Sequence, residues 1–218
     1  ANAEIVGPVA DHVAELAPHA VLIMVTNPLE EMTQLARLRS RFPPQRVLGM
    51  AGMLDSARFC ALVALTGICR PDQVRALALG SHGPEMVVPL SVATANGRRL
   101  TEILDAATLS AIVERTRDSG AEVVKLLQTG SAYFAPGQSA ALMVTTMARG
   151  DDTVMACAVE PRGLEQGYPL TLPTSGSAAA RAAAEPGRVR TASDASARTP
   201  EGGRRDERQP GHHLVRRE

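Results

Sequence analysis

"AVLIMVTNPLEEMTQLARLRSRFPPQRVLGMAGMLDSARF", residues 20–59, contains the alternation that decides the fold. "AVLIMVTN" (20–27) is a short apolar run rich in β-branched residues, the look of a strand buried on both faces of a parallel sheet. Pro28 stands where a first helical turn accepts proline. "LEEMTQLARLRS" follows with acids early and arginines late, as the helix dipole favours. "RVLGM" (46–50) is a second short strand, and "GMLDSARFCALVALTG" (52–67) is helical and stops at Gly67. Helix and strand in turn imply an α/β fold. At its end lies a puzzle. Asp55 and Arg58 are three residues apart, hence on one helix face, within an otherwise apolar segment. Either they pair with each other or each has a separate partner.

Working outward, residues 3–17 carry Val6, Val9, Val13 and Leu16 at helical spacing, with Pro8 arguing for a late start or a kink. "VRALALG" (74–80) reads as a strand. Residues 86–101 read as a hairpin turning at Asn96-Gly97. Helices are expected over 105–129, broken near Ser119-Gly120, and over 136–148. A strand is expected over 153–160. After residue 160 the composition changes. The stretch 161–218 holds four Leu, two Val and no Ile, Met or Phe, so a disordered tail is expected there.

Composition narrows the function. The 218 residues carry a formal net charge of zero, which gives no pull toward nucleic acid or a membrane surface. No apolar run reaches the ~18 residues of a spanning helix, and no leader peptide is read at the start. Aromatic residues are 2% of the chain, so Ala, Val, Leu and Met must build the core. Cys60, Cys69 and Cys157 lack metal-ligand spacing. They are expected in the core of a protein kept reduced, and no metal site is expected.

The chemistry centres on "GSHG" (80–83). His82 follows the 74–80 strand between glycines that permit close approach to the backbone. A histidine that accepts a proton gains from a carboxylate on its other nitrogen, and Asp55 suits that role. Arg58 would then be free to hold a planar anion. Asn27 sits at the C-terminal end of a strand, where open α/β sheets bind ligands. Blander readings stand beside these: His82 as a structural residue, Asp55 and Arg58 as a surface pair, Asn27 as a helix cap.

Four blocks, "VTNPLEEMT" (25–33), "RVLGMAGMLDSARF" (46–59), "GSHGPEMVVPL" (80–90) and "ERTRDSGAEVVKLLQTGSAYFAP" (114–136), resemble successive segments of the malate and lactate dehydrogenase family. The resemblance runs from residue 2 to about 160. It implies residues 1–49 as the back part of a Rossmann-type dinucleotide-binding domain and 50–160 as most of an α+β substrate domain. It implies an oxidoreductase moving a hydride between NAD and a 2-hydroxy acid. It further implies His82 as the proton-exchanging residue, Asp55 as its orienting carboxylate, and Arg58 as the grip on the substrate carboxylate. Asn27 would touch substrate and cofactor, with Asn2, Val25 and Thr26 on the cofactor. "GMAGMLDSARF" and Ala132 resemble malate dehydrogenases more than lactate dehydrogenases, so malate and oxaloacetate are the expected pair and lactate and pyruvate the alternative. A cytoplasmic homo-oligomer serving the tricarboxylic acid cycle is implied for the whole enzyme. The 218 residues contain no G-x-G-x-x-G turn to cradle a pyrophosphate. The expectation is therefore the middle of such an enzyme, and a catalytically inactive remnant or interaction fragment is the competing reading.

Overall fold

The computed structural model describes residues 1–161 and 168–175. Helix α1 (Asn2–Leu16) runs through Pro8 without a break. The proline, seventh of the fifteen helix residues, forgoes the hydrogen bond to the Glu4 carbonyl, and both residues are exposed. Strand β1 is shorter than expected, Leu22–Met24, and half-buried rather than covered on both faces. Helix α2 (Leu29–Ser40) begins after Pro28, which occupies the N-cap, and it has the expected acids first and arginines last. Val6 and Ala10 of α1 pack on Met32 and Ala36 of α2 and on Phe42. Strand β2 (Val47–Gly49) is fully buried and pairs parallel with β1, Leu22 opposite Val47.

Helix α3 (Gly52–Ala64) lies on the sheet because its first residue has no side chain. A Cβ at Gly52 would stand 2.7 Å from Ala156 Cβ and 2.9 Å from Ala156 O. The strand expected over 74–80 is reduced to β3 (Val74–Arg75) plus isolated bridges at Leu79 and Gly80. The hairpin expected over 86–101 forms with its turn where expected but only over residues 94–99. Strands β4 (Thr94–Ala95) and β5 (Arg98–Arg99) turn at Asn96 and Gly97, whose φ of 51° and 76° are the two positive values a tight hairpin needs. Strands β3, β4 and β5 make one small antiparallel sheet. A short helix not foreseen, α4 (Leu100–Ile103), precedes α5 (Ala106–Leu127). Phe59, Val63, Leu100, Leu109 and Ile112 form the core between α3, α4 and α5.

Helix α5 is continuous across Ser119-Gly120, contrary to the expected break. Ser119 donates its hydroxyl to the Thr116 carbonyl at 2.7 Å, and both side chains are buried. A Cβ at Gly120 would lie at ordinary contact distance, 3.8 Å, from Arg58 Nη1. Helix α6 (Phe134–Arg149) ends on Gly150 in the left-handed region, φ 63°.

Strand β6 (Val154–Val159) pairs antiparallel with β2, Gly49 opposite Ala158. The segment boundary expected at 49/50 is thus crossed by a single sheet of order β1-β2-β6-β7. The last strand corrects the tail expectation. Residues Leu170–Ser175 form β7, in register with all six residues of β6. Low aliphatic content misled here because β7 is held by its ladder to β6, and its Pro173 is tolerated on an edge strand bridged on its other side only at Thr171 among the described residues. The rest of the expected tail lies outside the described residues. Among the described residues no helix is long and apolar enough to cross a membrane. Cys157 is buried as expected, while Cys60 and Cys69 are half-buried.

Candidate functional site

The first turn of α3 answers the Asp55–Arg58 puzzle: both alternatives hold. Asp55, 4% exposed, uses its two oxygens on two partners. Arg58 Nη1 donates to Oδ1 at 3.1 Å, and His82 Nδ1 meets Oδ2 at 2.7 Å. Arg58 is therefore not wholly free, as the sequence suggested. Its guanidinium has five N–H donors, and among the described residues only Asp55 engages one of them. An ionised carboxylate can only accept, so the neutral imidazole carries its proton on Nδ1 and leaves Nε2 as an acceptor.

The ring's proton affinity follows from its neighbours. The hydrogen bond to Asp55 raises the His82 pKa above the ordinary histidine value. Burial opposes that rise, the negative charges of Asp55 and Glu30 add to it, and Arg58 subtracts from it. The side chain is 23% exposed, so it is shielded yet reachable.

Three elements hold the loop that carries His82. From α2, Glu30 Oε1 accepts the His82 backbone N–H at 2.8 Å. From α5, Arg117 donates to the Met86 carbonyl through Nε at 3.1 Å and Nη2 at 2.8 Å. From β7, Thr171 exchanges both backbone hydrogen bonds with Gly80, at 3.0 and 2.7 Å. Sequence reasoning missed these supports. Glu30 showed only as a dipole-compensating acid, Arg117 only as part of a family-like block, and Thr171 lay in the stretch set aside as a tail.

Two cavities meet at this point. One, of about 510 Å³, is lined by Asn27, Asp55, Arg58, His82, Arg117 and Gly120 among others. The other, of about 440 Å³, is lined by Asn2, Val25, Thr26, Asn27, Met50 and Ala132 among others, and it shares Arg58 and His82 with the first. Asn2 Nδ2 donates to the Asn27 carbonyl at 2.6 Å, which ties α1 to the end of β1. All the expected site residues thus line one or both of two cavities that share Asn27, Arg58, His82 and Gly120. No group of side chains able to hold a metal ion occurs among the described residues. The second cavity offers amide and hydroxyl groups from Asn2, Thr26 and Asn27, apolar walls, and direct access to His82.

Comparison with known proteins agrees. Residues 52–180, more than half the chain, match the family model for the lactate/malate dehydrogenase alpha/beta C-terminal domain. A malate dehydrogenase of Nostoc punctiforme is 46% identical over 163 residues, which cover 74% of this chain and 50% of that protein. The crystal structure of Cryptosporidium parvum malate dehydrogenase superposes with a TM-score of 0.77 at 33% identity, covering 80% of this chain and 58% of that one. The lactate dehydrogenase of the same organism, solved with lactic acid and nicotinamide adenine dinucleotide, gives 0.77 at 32% identity, covering 80% and 57%. The chain spans about half the length of the curated relatives it matches. With more than half of it under one family model, and relatives and structures in agreement, the chain belongs to the lactate/malate dehydrogenase family.

Proposed function

We propose that these residues form the acid–base and substrate-holding part of an NAD-dependent 2-hydroxy acid dehydrogenase, with malate and oxaloacetate as its substrate pair. The observation that carries this reading is Asp55 holding His82 and Arg58 at once, beside a cavity the size of a small substrate. When bound, the nicotinamide supplies the hydride acceptor for alcohol oxidation and the donor for ketone reduction. Asn2, Val25, Thr26 and Asn27 would hold its nicotinamide end.

Arg58 lines the cavity with four of its five N–H donors uncommitted among the described residues, a group whose shape grips a carboxylate in plane. Asn27 adds an amide on the shared wall and helps orient the carbinol carbon. His82 Nε2 accepts the hydroxyl proton as the alcohol is oxidised and returns it in the reverse direction. The charged ring that results is stabilised by Asp55, which is why its proton affinity is raised. Orientation by Arg58 and Asn27 is itself worth several kcal/mol of barrier. Malate is favoured over lactate by the malate dehydrogenase names of the relatives. The absence of any disulfide at Cys60, Cys69 and Cys157 suits a reducing compartment such as the cytoplasm.

The test is a chimera in which residues 1–175 replace the matching half of a malate dehydrogenase relative. Malate-dependent NADH formation that disappears in His82→Asn supports the proposal. A folded chimera that binds NADH yet oxidises neither malate nor lactate contradicts it and favours the non-catalytic reading.

A further inference from the structure

Glu30 is a carboxylate 5% exposed, with no ion pair among the described residues. Burying such a group is costly unless something compensates. Two features do. It sits in the first turn of α2, where the helix dipole favours negative charge, and it accepts a backbone N–H from 52 residues away in sequence. That N–H belongs to His82. If the loop needed only a hydrogen-bond acceptor, a neutral amide would serve without the burden of a buried charge.

We propose that Glu30 is a positioning residue for His82: its carboxylate fixes the backbone of the histidine loop in register with Asp55 and places a second negative charge near the ring. The inference deepens the dehydrogenase reading and rests on it for its catalytic meaning. Other charged or titratable groups around the ring are Asp55 and Arg58 from α3, and Arg117 from α5 on the shared cavity. Arg117 is bound to Met86 and Glu114. Glu31, next to Glu30, is turned to Tyr168, the residue two before β7. Asp55 acts on the ring directly. Glu30 acts through the main chain and through space, so its removal should weaken the site without abolishing the Asp55 contact. A residue that merely stabilised α2 would leave the titration of His82 unmoved.

The experiment uses the isotopically labelled 218-residue chain. The His82 ring is titrated by NMR, and exchange of the His82 amide is followed in parallel. Glu30→Gln keeps an acceptor and loses the charge, so the ring titration should move to lower pH with the amide still protected. Glu30→Ala loses both, so the same downward move should come with amide exchange about tenfold faster or more, the loss expected for a hydrogen bond to a charged group. An unchanged ring titration in Glu30→Gln overturns the proposal, as does unchanged amide protection in a folded Glu30→Ala. Should Glu30→Ala fail to fold, the Glu30→Gln titration decides. An inactive chimera would sink the dehydrogenase reading and leave these two readouts standing. An active chimera with a Glu30-insensitive His82 would remove this inference alone.

Discussion

The two cavities that meet at His82 are built differently. On the side proposed for the substrate the polar side chains are partnered and shielded: Asp55 holds His82 and Arg58, Glu30 holds the His82 backbone, and Arg117 holds Met86. On the side proposed for the cofactor Asn2, Val25, Thr26 and Asn27 are exposed, and the Asn2–Asn27 hydrogen bond is the side-chain tie among these four. The proposed proton handling requires fixed geometry and a tuned ring, and the Asp55 and Glu30 contacts of His82 favour both. The face proposed for the nicotinamide is an open surface whose order would come with its ligand. Substitutions on the first side should therefore damage chemistry, and those on the second should mainly weaken binding.

The sharpest break is His82→Asn in the active chimera. Asparagine keeps hydrogen-bonding capacity but accepts no proton near neutral pH. Turnover should fall by about 10²–10⁴ with NADH affinity preserved, and steady-state kinetics with a cofactor titration would show it. A similar loss from Val25→Ala would erase the distinction between the sides. Next comes Gly52→Ala, which pushes a methyl group against Ala156 and Thr171 and so disturbs the seat of α3. Overpacking of this kind costs about 1–3 kcal/mol, visible as a lower thermal midpoint. An unchanged midpoint would mean that α3 slides freely on the sheet.

Arg58→Lys is smaller in turnover and larger in binding. Lysine keeps the charge but loses the planar fork, so kcat/KM should fall about 10–100-fold, with KM rising as well as kcat dropping. A loss confined to kcat would argue against Arg58 as the carboxylate grip. Asn2→Ala should be the mildest for the fold. Its exposed hydrogen bond should change stability by about 0.5 kcal/mol or less, while NADH affinity declines in the chimera. A large drop in melting temperature would show that the open side is as rigidly built as the closed one.

Legibility in the sequence follows the same division by distance. The periodicity of 20–59, the acid-then-arginine pattern of α2 and the Asn96-Gly97 turn are local, and the structure reproduces them. Asp55 and Arg58 sharing a face is local too. Their junction with His82 needed family resemblance, because a 27-residue separation says nothing about contact. Glu30 reaching His82, Arg117 reaching Met86 and Thr171 pairing with Gly80 were not readable. Each is a long-range bond to a backbone group, which leaves no trace in residue type. The break expected at Ser119-Gly120 failed because Ser119 turns its hydroxyl back to the Thr116 carbonyl within an unbroken α5.

The raised proton affinity of His82 gives the direction for pH work. A group whose folded-state pKa lies above its unfolded value adds stability below the unfolded value and loses it as pH rises through the folded one. The His82–Asp55 contact should therefore stabilise the fold most on the acid side of the histidine range. Denaturation midpoints of wild type and His82→Asn should draw together as pH rises.

The central claim is that Asp55 sets the proton affinity of a catalytic His82. Its most direct test is the pH dependence of malate oxidation and oxaloacetate reduction in the chimera, with and without Asp55→Asn. Oxidation needs the neutral ring and reduction the charged one. Removing the carboxylate's charge should move the acid limb of oxidation and the alkaline limb of reduction to lower pH together, with reduction at neutral pH losing most. If both limbs stay in place in a folded Asp55→Asn enzyme, Asp55 does not tune His82 and the account of this site is contradicted.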